Sequence, residues 1–155
     1  FEPAPSARKW LQKHLIIAHS GISHKSGDIQ NRVWSRYDEG DTQVIEGLKA
    51  IRLSSRTMVD ALQRDQRQLV IDALNEVCRG VDLIDPSIHD PFRSVIDPLL
   101  SSGTVMAWKA LGAGAGGCAA LLCNPMQVSS VRSDIERLGW EIIDWNFEEE
   151  GVSIC

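Results

Sequence analysis

Residues 110–123 read ALGAGAGGCAALLC, with Gly112, Gly114, Gly116 and Gly117 falling within six positions. What this stretch is decides the fold. A dinucleotide loop, a Gly-Lys-Ser/Thr phosphate loop and a turn between strands all use glycine, and each demands a different chain beyond it. Gly112, Gly114 and Gly117 satisfy G-x-G-x-x-G, but that motif needs its third glycine to open a helix whose N-terminus meets the pyrophosphate. After Gly117 comes a strand-like apolar run, CAALLC, stopped by Asn124-Pro125. The acid expected about twenty residues on falls at Asp134 or Glu136, inside a helical pattern. The phosphate-loop reading fails at Cys118, which follows the glycines where Gly-Lys-Ser/Thr is needed.

What remains is a loop joining two short strands, TVMAWKAL and CAALLC. A tight hairpin needs only one or two residues at positive φ. Four glycines exceed that need, and each carries an entropic cost in the folded chain. The excess is explained where another backbone or an anionic ligand must come close.

Working outward, KHLIIAHS (13–20) predicts a buried strand after a lead containing Pro3 and Pro5. GISHKSGD is a loop in which Ser26 caps a helix and Asp28 favours its first turn. That helix runs to about Tyr37, with Ile29, Val33 and Trp34 facing inward. A long helix starts at Thr42 and turns Ile45, Leu48, Ile51, Ser55, Met58, Val59 and Leu62 to one side. Another carries Leu69, Val70, Ala73, Leu74, Val77 and Cys78, and a shorter one spans FRSVIDPLLSS. Beyond the glycines, Val128, Val131, Ile135 and Leu138 mark a helix ending at Gly139. WEIIDWNF predicts a last strand, and GVSIC a short edge strand. Strand, helices, hairpin, helix, strand is the split β-α-β order of a ferredoxin-like sheet, its first crossover enlarged by extra helices. The class is α+β, with helices covering one face of an antiparallel sheet.

At 155 residues the chain has the size of one domain, spanning 1–155. A net charge of -5 argues against a nucleic-acid partner, and the basic pairs Arg52/Arg56 and Arg64/Arg67, interleaved with acids, read as solvated helix surface. The longest apolar run, HLIIA, is too short for a membrane span, and FEPAPSARKW, with no apolar stretch after its basic residues, is not expected to be a signal peptide. The cysteines 78, 118, 123 and 155 form no Cys-x-x-Cys pair and read as reduced thiols of a cytoplasmic protein. His14, His19 and His24 recur every five residues, which fits neither a helix nor a strand face, so no metal site is expected.

The stretch KALGAGAGGCAALLC resembles the third conserved motif of the GHMP kinases (galacto-, homoserine, mevalonate and phosphomevalonate kinases). SGISHKSGDIQNRVW is similar to the Thr-Gly-x-x-Arg-x-Ser segment of the bacterial heptose-phosphate kinase branch, and LIDPSIHDPF and LLSSGTVMAWKALGAG follow the same order. The resemblance runs from about Leu15 to Gly151. It implies the C-terminal, substrate-side domain of an ATP-dependent sugar or sugar-phosphate kinase, a two-domain enzyme with its active site in the cleft. The N-terminal domain would carry the Gly-Leu-Gly-Ser-Ser loop, most of the contacts to ATP and Mg2+, and the catalytic groups. That loop is missing here, since LLSSGT lacks the preceding glycines, and the chain starts at Phe1 without Met, as a piece of a longer protein would.

The resemblance carries Gly112, Ala113, Gly114, Ala115, Gly116 and Gly117 over as the phosphate-side loop. Ser20, Gly21, His24, Ser26, Asp28 and Lys109 are carried over as the substrate side. Three departures bear on the substrate. Ser20 stands for Thr and keeps the hydroxyl. His24 stands for Arg and exchanges a permanent forked cation for a group mostly neutral at pH 7. Met106-Ala107-Trp108 replaces small residues, and Trp108 either joins the core or narrows the pocket. The competing reading is a ferredoxin-like binding or regulatory module, or a degenerate kinase subunit.

Overall fold

The structure, a computed structural model, describes residues 1–23 and 26–148, with Ser26 described by its backbone only. His24 and the expected edge strand GVSIC lie outside the described residues. In chain order the elements are α1 (Pro5–His14), β1 (Leu15–His19), α2 (Ser26–Asp38), α3 (Thr42–Gln63), α4 (Arg67–Ile84), a 3-10 turn (Pro86–Ile88) and α5 (Asp90–Ser101). There follow β2 (Val105–Ala110), β3 (Cys118–Cys123), α6 (Val128–Arg137) and β4 (Glu141–Ile143). The sheet is antiparallel throughout, in the order β2-β3-β1-β4. Leu15 pairs with Leu122 and His19 with Cys118. Met106 interrupts the β2–β3 register, because Val105 faces Cys123 while Ala107 already faces Leu122.

Several elements differ from the sequence expectation. The Pro-containing lead is α1, so Lys13 and His14 are helical and β1 opens at Leu15. Pro5 sits in the first turn, where a missing N–H costs nothing, and Ala7, Trp10 and His14 are buried at three-and-four spacing. Trp34 is exposed and stacks edge-on against Tyr37, leaving Ile29 as the buried residue of the expected α2 stripe. Leu69 and Leu138 are exposed. Of WEIIDWNF, only Glu141–Ile143 is strand.

The long helix packs by its small residues. Val44, Gly47, Ala50, Ser54, Ala61 and Leu62 are the buried positions of α3, while Ser55 and Val59 are exposed and Ile45, Leu48, Ile51 and Met58 flank the seam. The cause is the neighbour. A Cβ on Gly47 would stand 2.5 Å from the Gly80 carbonyl oxygen on α4, and one on Gly80 would stand 2.9 Å from the Gly47 carbonyl. Two backbones in contact leave no room for the large residues that period-reading puts at the centre.

Helices cover both faces of the sheet, not one. Leu121 joins Ile16, Phe92, Ile96, Val131, Ile135 and Trp140 on the α5–α6 side. Its neighbour Leu122 joins Trp10, Ala61, Leu62 and Val70 on the α1–α3 side. Successive residues of a strand point to opposite faces, so β3 is clamped between two cores. That clamp holds fixed the strand ends from which the glycine loop leaves.

Candidate functional site

The glycine loop, 111–117, spans from the end of β2 to the start of β3, closed at its root by the Leu111 amide donating to the Cys118 carbonyl at 2.8 Å. Gly112, Gly114, Ala115, Gly116 and Gly117 all have positive φ. Such a run is open to glycine and adverse for other residues, and Ala115 at 59° is the exception that reveals the restraint. Its amide donates to the Ile88 carbonyl at 2.7 Å. Gly114, at φ 74°, lies so close under Ile88 that a Cβ there would collide with the Ile88 γ-methyl. The loop therefore rests on the Pro86–Ile88 turn. Excess glycine answers here to a neighbouring backbone.

On its other side the loop is bonded to the segment after β1. The Ser20 amide donates to the Gly117 carbonyl at 2.8 Å, and the Gly117 amide donates to the Ile22 carbonyl at 3.0 Å. The Ser20 hydroxyl is buried and accepts from the Ile22 amide, while the Gly21 amide reaches His19 Nδ1 at 3.2 Å. His19, Gly21, Ile22, Ser23 and Gly117 line a shallow open pocket. The structure thus joins Ser20 and Gly21 to Gly112–Gly117 at one end of the sheet. Among the described residues, the amides of Gly112, Ala113, Gly114 and Gly116 donate to no protein acceptor. Successive amides without a protein acceptor are the kind of donor that anionic oxygens use.

Other expected residues are placed less directly. Asp28 is exposed in the first turn of α2 and forms no hydrogen bond or ion pair with the loop among the described residues. The side chains of His24 and Ser26 are outside the described residues. Lys109 stands at the root of the loop, half-buried, with its Nζ donating to the Ala110 carbonyl at 2.8 Å. Trp108 belongs to the core: it is 5% exposed and packs on His89 and Phe92.

Sequence reading missed the base on which the loop rests. Arg32 of α2 donates from Nη2 to Asp85 at 2.8 Å and to the Ser87 hydroxyl at 3.0 Å. The other Asp85 oxygen accepts from the Ser87 hydroxyl at 2.6 Å and from the Ser87 amide at 3.0 Å. Burial works against the Asp85 charge, but the Ser87 and Arg32 bonds outweigh it and hold the carboxyl below its ordinary range. At the other end of the turn, His89 Nδ1 lies 2.9 Å from Asp82, which also accepts from Arg93 at 2.7 Å. The available signal was the cluster Asp82, Asp85, His89 and Asp90 around two prolines, which marks a structured turn.

The Cys78 and Cys123 thiols form no hydrogen bond with the glycine loop among the described residues. Burial pushes the thiols of Cys78 and Cys123 up to about 12, and Cys78 S–H donates to the Trp108 carbonyl. Cys78, Cys118 and Cys123 are free thiols. Among the described residues no group of three His, Cys, Asp or Glu side chains is placed to hold a metal ion, and no helix is long and apolar enough to cross a membrane.

No protein-family model matches the sequence, and no curated protein matches it significantly. Solved structures match its fold. The Lin0012 protein from Listeria innocua superposes with a TM-score of 0.73 at 15% identity, over 94% of this chain and 40% of that one. A provisionally named sugar kinase from Campylobacter jejuni gives 0.67 at 17% identity, over 97% of this chain and 41% of that one. Phosphomevalonate kinase from Streptococcus pneumoniae, solved with phosphomevalonate and AMPPNP, gives 0.65 at 15% identity, over 84% of this chain and 38% of that one. The chain spans about 40% of the length of the first of these. Its α+β architecture, with a four-stranded antiparallel sheet, is a fold that these kinase structures share over about 40% of their length.

Proposed function

We propose that this chain is the substrate-side domain of an ATP-dependent sugar or sugar-phosphate kinase of the heptose-phosphate kinase type. Gly112–Gly117 complete the phosphate site and Ser20 and Gly21 stand at its sugar end; His24, Ser26, Asp28 and Lys109 are proposed to line the same cleft. ATP and Mg2+ would be held mainly by an N-terminal domain, covalent or separate, that carries the nucleotide loop. The observation that carries this reading is that the amides of Gly112, Ala113, Gly114 and Gly116 meet no acceptor among the described residues, while hydrogen bonds to Ile88, Ser20 and Ile22 hold the loop on both sides. Phosphoryl transfer is catalysed chiefly by positioning and by neutralising phosphate oxygens. Backbone amides anchored in this way would supply part of that without a charged side chain. The burial of Trp108 also favours this reading over a degenerate subunit, because its ring takes no space from the cleft.

The test is an ADP-release assay with ATP, Mg2+ and heptose, fucose and galactose derivatives with their phosphates. The chain alone is expected to match a boiled control. Adding the domain that bears the Gly-Leu-Gly-Ser-Ser loop, in cis or in trans, is expected to give turnover with one member of the panel. Turnover by the chain alone, or none in the assembled protein, would refute the proposal.

A further inference from the structure

The glycine loop has a support that the proposed reaction does not explain. His89 is 1% exposed, yet its Nε2 has no hydrogen-bond partner among the described residues. An orphaned buried polar atom in a native fold calls for a physical reason. A carboxylate only accepts, so the 2.9 Å contact with Asp82 requires the proton on Nδ1 and leaves Nε2 as a bare lone pair. The ring lies against Trp108 with centroids 4.6 Å apart. The backbone of His89 closes the turn, its amide donating to the Pro86 carbonyl at 3.0 Å and its carbonyl accepting from Phe92 at 2.9 Å. The preceding residue is Ile88, the one that bears on Gly114 and Ala115.

We infer that His89 is the positioning residue of the glycine loop: held in one tautomer between Asp82 and Trp108, it fixes the Pro86–Ile88 turn on which Gly114 and Ala115 rest. A proton on Nε2 would be a buried donor without an acceptor, so protonation drives the ring out of its seat and moves Ile88 with it. The groups facing the ring set the direction. Burial lowers its pKa most, Asp82 on α4 raises it, and Arg93 on α5 and Lys109 on β2 lower it again. Asp90 is occupied with Arg93, and the Cys78 thiol stays neutral. His89 is therefore neutral at pH 7, and acidification below the ordinary histidine range of about 6.5 releases the turn.

The consequence for anion binding rests on the phosphate-side reading of the loop, so loop geometry and binding are measured separately. The amide resonances of Gly112, Ala113, Gly114, Ala115 and Gly116 and the His89 ring are followed by NMR from pH 8 to 5, with and without inorganic sulfate, whose charge is constant over that range. The expected result is one shared titration of ring and loop amides, with sulfate affinity falling about fivefold or more through the same step, the lower end of ordinary coupling between two sites. His89→Asn keeps a donor for Asp82 without a titrating group and is expected to give flat loop amides. Should that variant not fold, Asp82→Asn removes the charge that raises the His89 pKa, and ring and loop must shift together to lower pH. Loop amides that stay flat while the ring titrates, or that titrate unchanged in His89→Asn, would overturn the inference. So would tighter sulfate binding on acidification, the sign expected if His89 merely adds positive charge. Amides that move with His89 while sulfate binds at no pH would sustain the inference and refute the phosphate-side reading.

Discussion

Gly114→Ala tests whether the loop is shaped by the turn beneath it. At φ 74° an L-residue bears a left-handed penalty of about 1–2 kcal/mol. The new Cβ also meets the Ile88 γ-methyl, and it stands 3.2 Å from the Ile88 carbonyl, a backbone atom that cannot rotate away. Overpacking of this kind costs about 1–3 kcal/mol, moderated here because the Ile88 side chain is only half-buried and can yield. The sum is about 2–5 kcal/mol, and the yielding Ile88 side chain places the expected loss in the lower part of that range. Gly112 is the matched control: its φ is 67°, and a Cβ there meets nothing within 4 Å, so Gly112→Ala carries the conformational penalty alone. Urea denaturation of the two variants gives the difference. A double-mutant cycle then locates its source. Ile88→Ala removes the colliding methyl and is expected to recover about 1 kcal/mol or more of the Gly114→Ala loss, whereas Ile88→Val retains γ-methyls and recovers none. Equal losses at positions 112 and 114, or a cycle that closes to zero, would refute the claim that the turn sets the loop.

Gly47→Ala gains about 1 kcal/mol of helix propensity, but its Cβ would press on the Gly80 carbonyl at 2.5 Å and on Ile84 at 2.8 Å. Overpacking of about 1–3 kcal/mol less that gain leaves a net loss of up to about 2 kcal/mol in urea melts, and any stabilisation would mean that the α3–α4 seam is looser than described. Asp85→Asn is expected to cost about 1.5–3 kcal/mol at pH 7, the range for hydrogen bonds to a charged group. Because the folded pKa of Asp85 lies below its unfolded value near 3.9, its contribution is full above that pH and is lost as pH falls through the folded value. Denaturation curves from pH 7 to 2.5 should therefore converge with those of Asp85→Asn at the acid end. Cys123, buried and with its thiol pushed up to about 12, is expected to react with iodoacetamide at pH 8 only as fast as the chain unfolds, while the half-buried Cys78 is expected to react slowly because its thiol stays protonated. Rapid labelling of Cys123 under native conditions would contradict its burial.

The local sequence determined the order of helices and strands from β1 to β4, the hairpin at 105–123 and the exclusion of a dinucleotide or Gly-Lys-Ser/Thr loop. Each rests on nearest-neighbour chemistry: Asn-Pro stops a strand, glycine permits positive φ, and a three-and-four apolar rhythm makes a helix. The excess of glycine also signalled a close approach. Identifying the approaching atom required the fold, because Ile88 and Gly114 meet only when the crossover from β1 returns past the end of β2. The same limit explains the other misses. Gly47 and Gly80 carry no hydrophobic signal, and their contact exists only between two helices, so the buried seam of α3 was invisible to periodicity. α1 was hidden because Pro3 and Pro5 read as a lead until Trp10 had a sheet face to cover. Asp82 was an ordinary polar residue of a helix, and Asp85 and His89 of a proline-rich turn. Tertiary structure brought Arg32 and Arg93 to them from separate helices and buried the His89 ring on Trp108, which is what turns a connecting segment into the seat of the glycine loop.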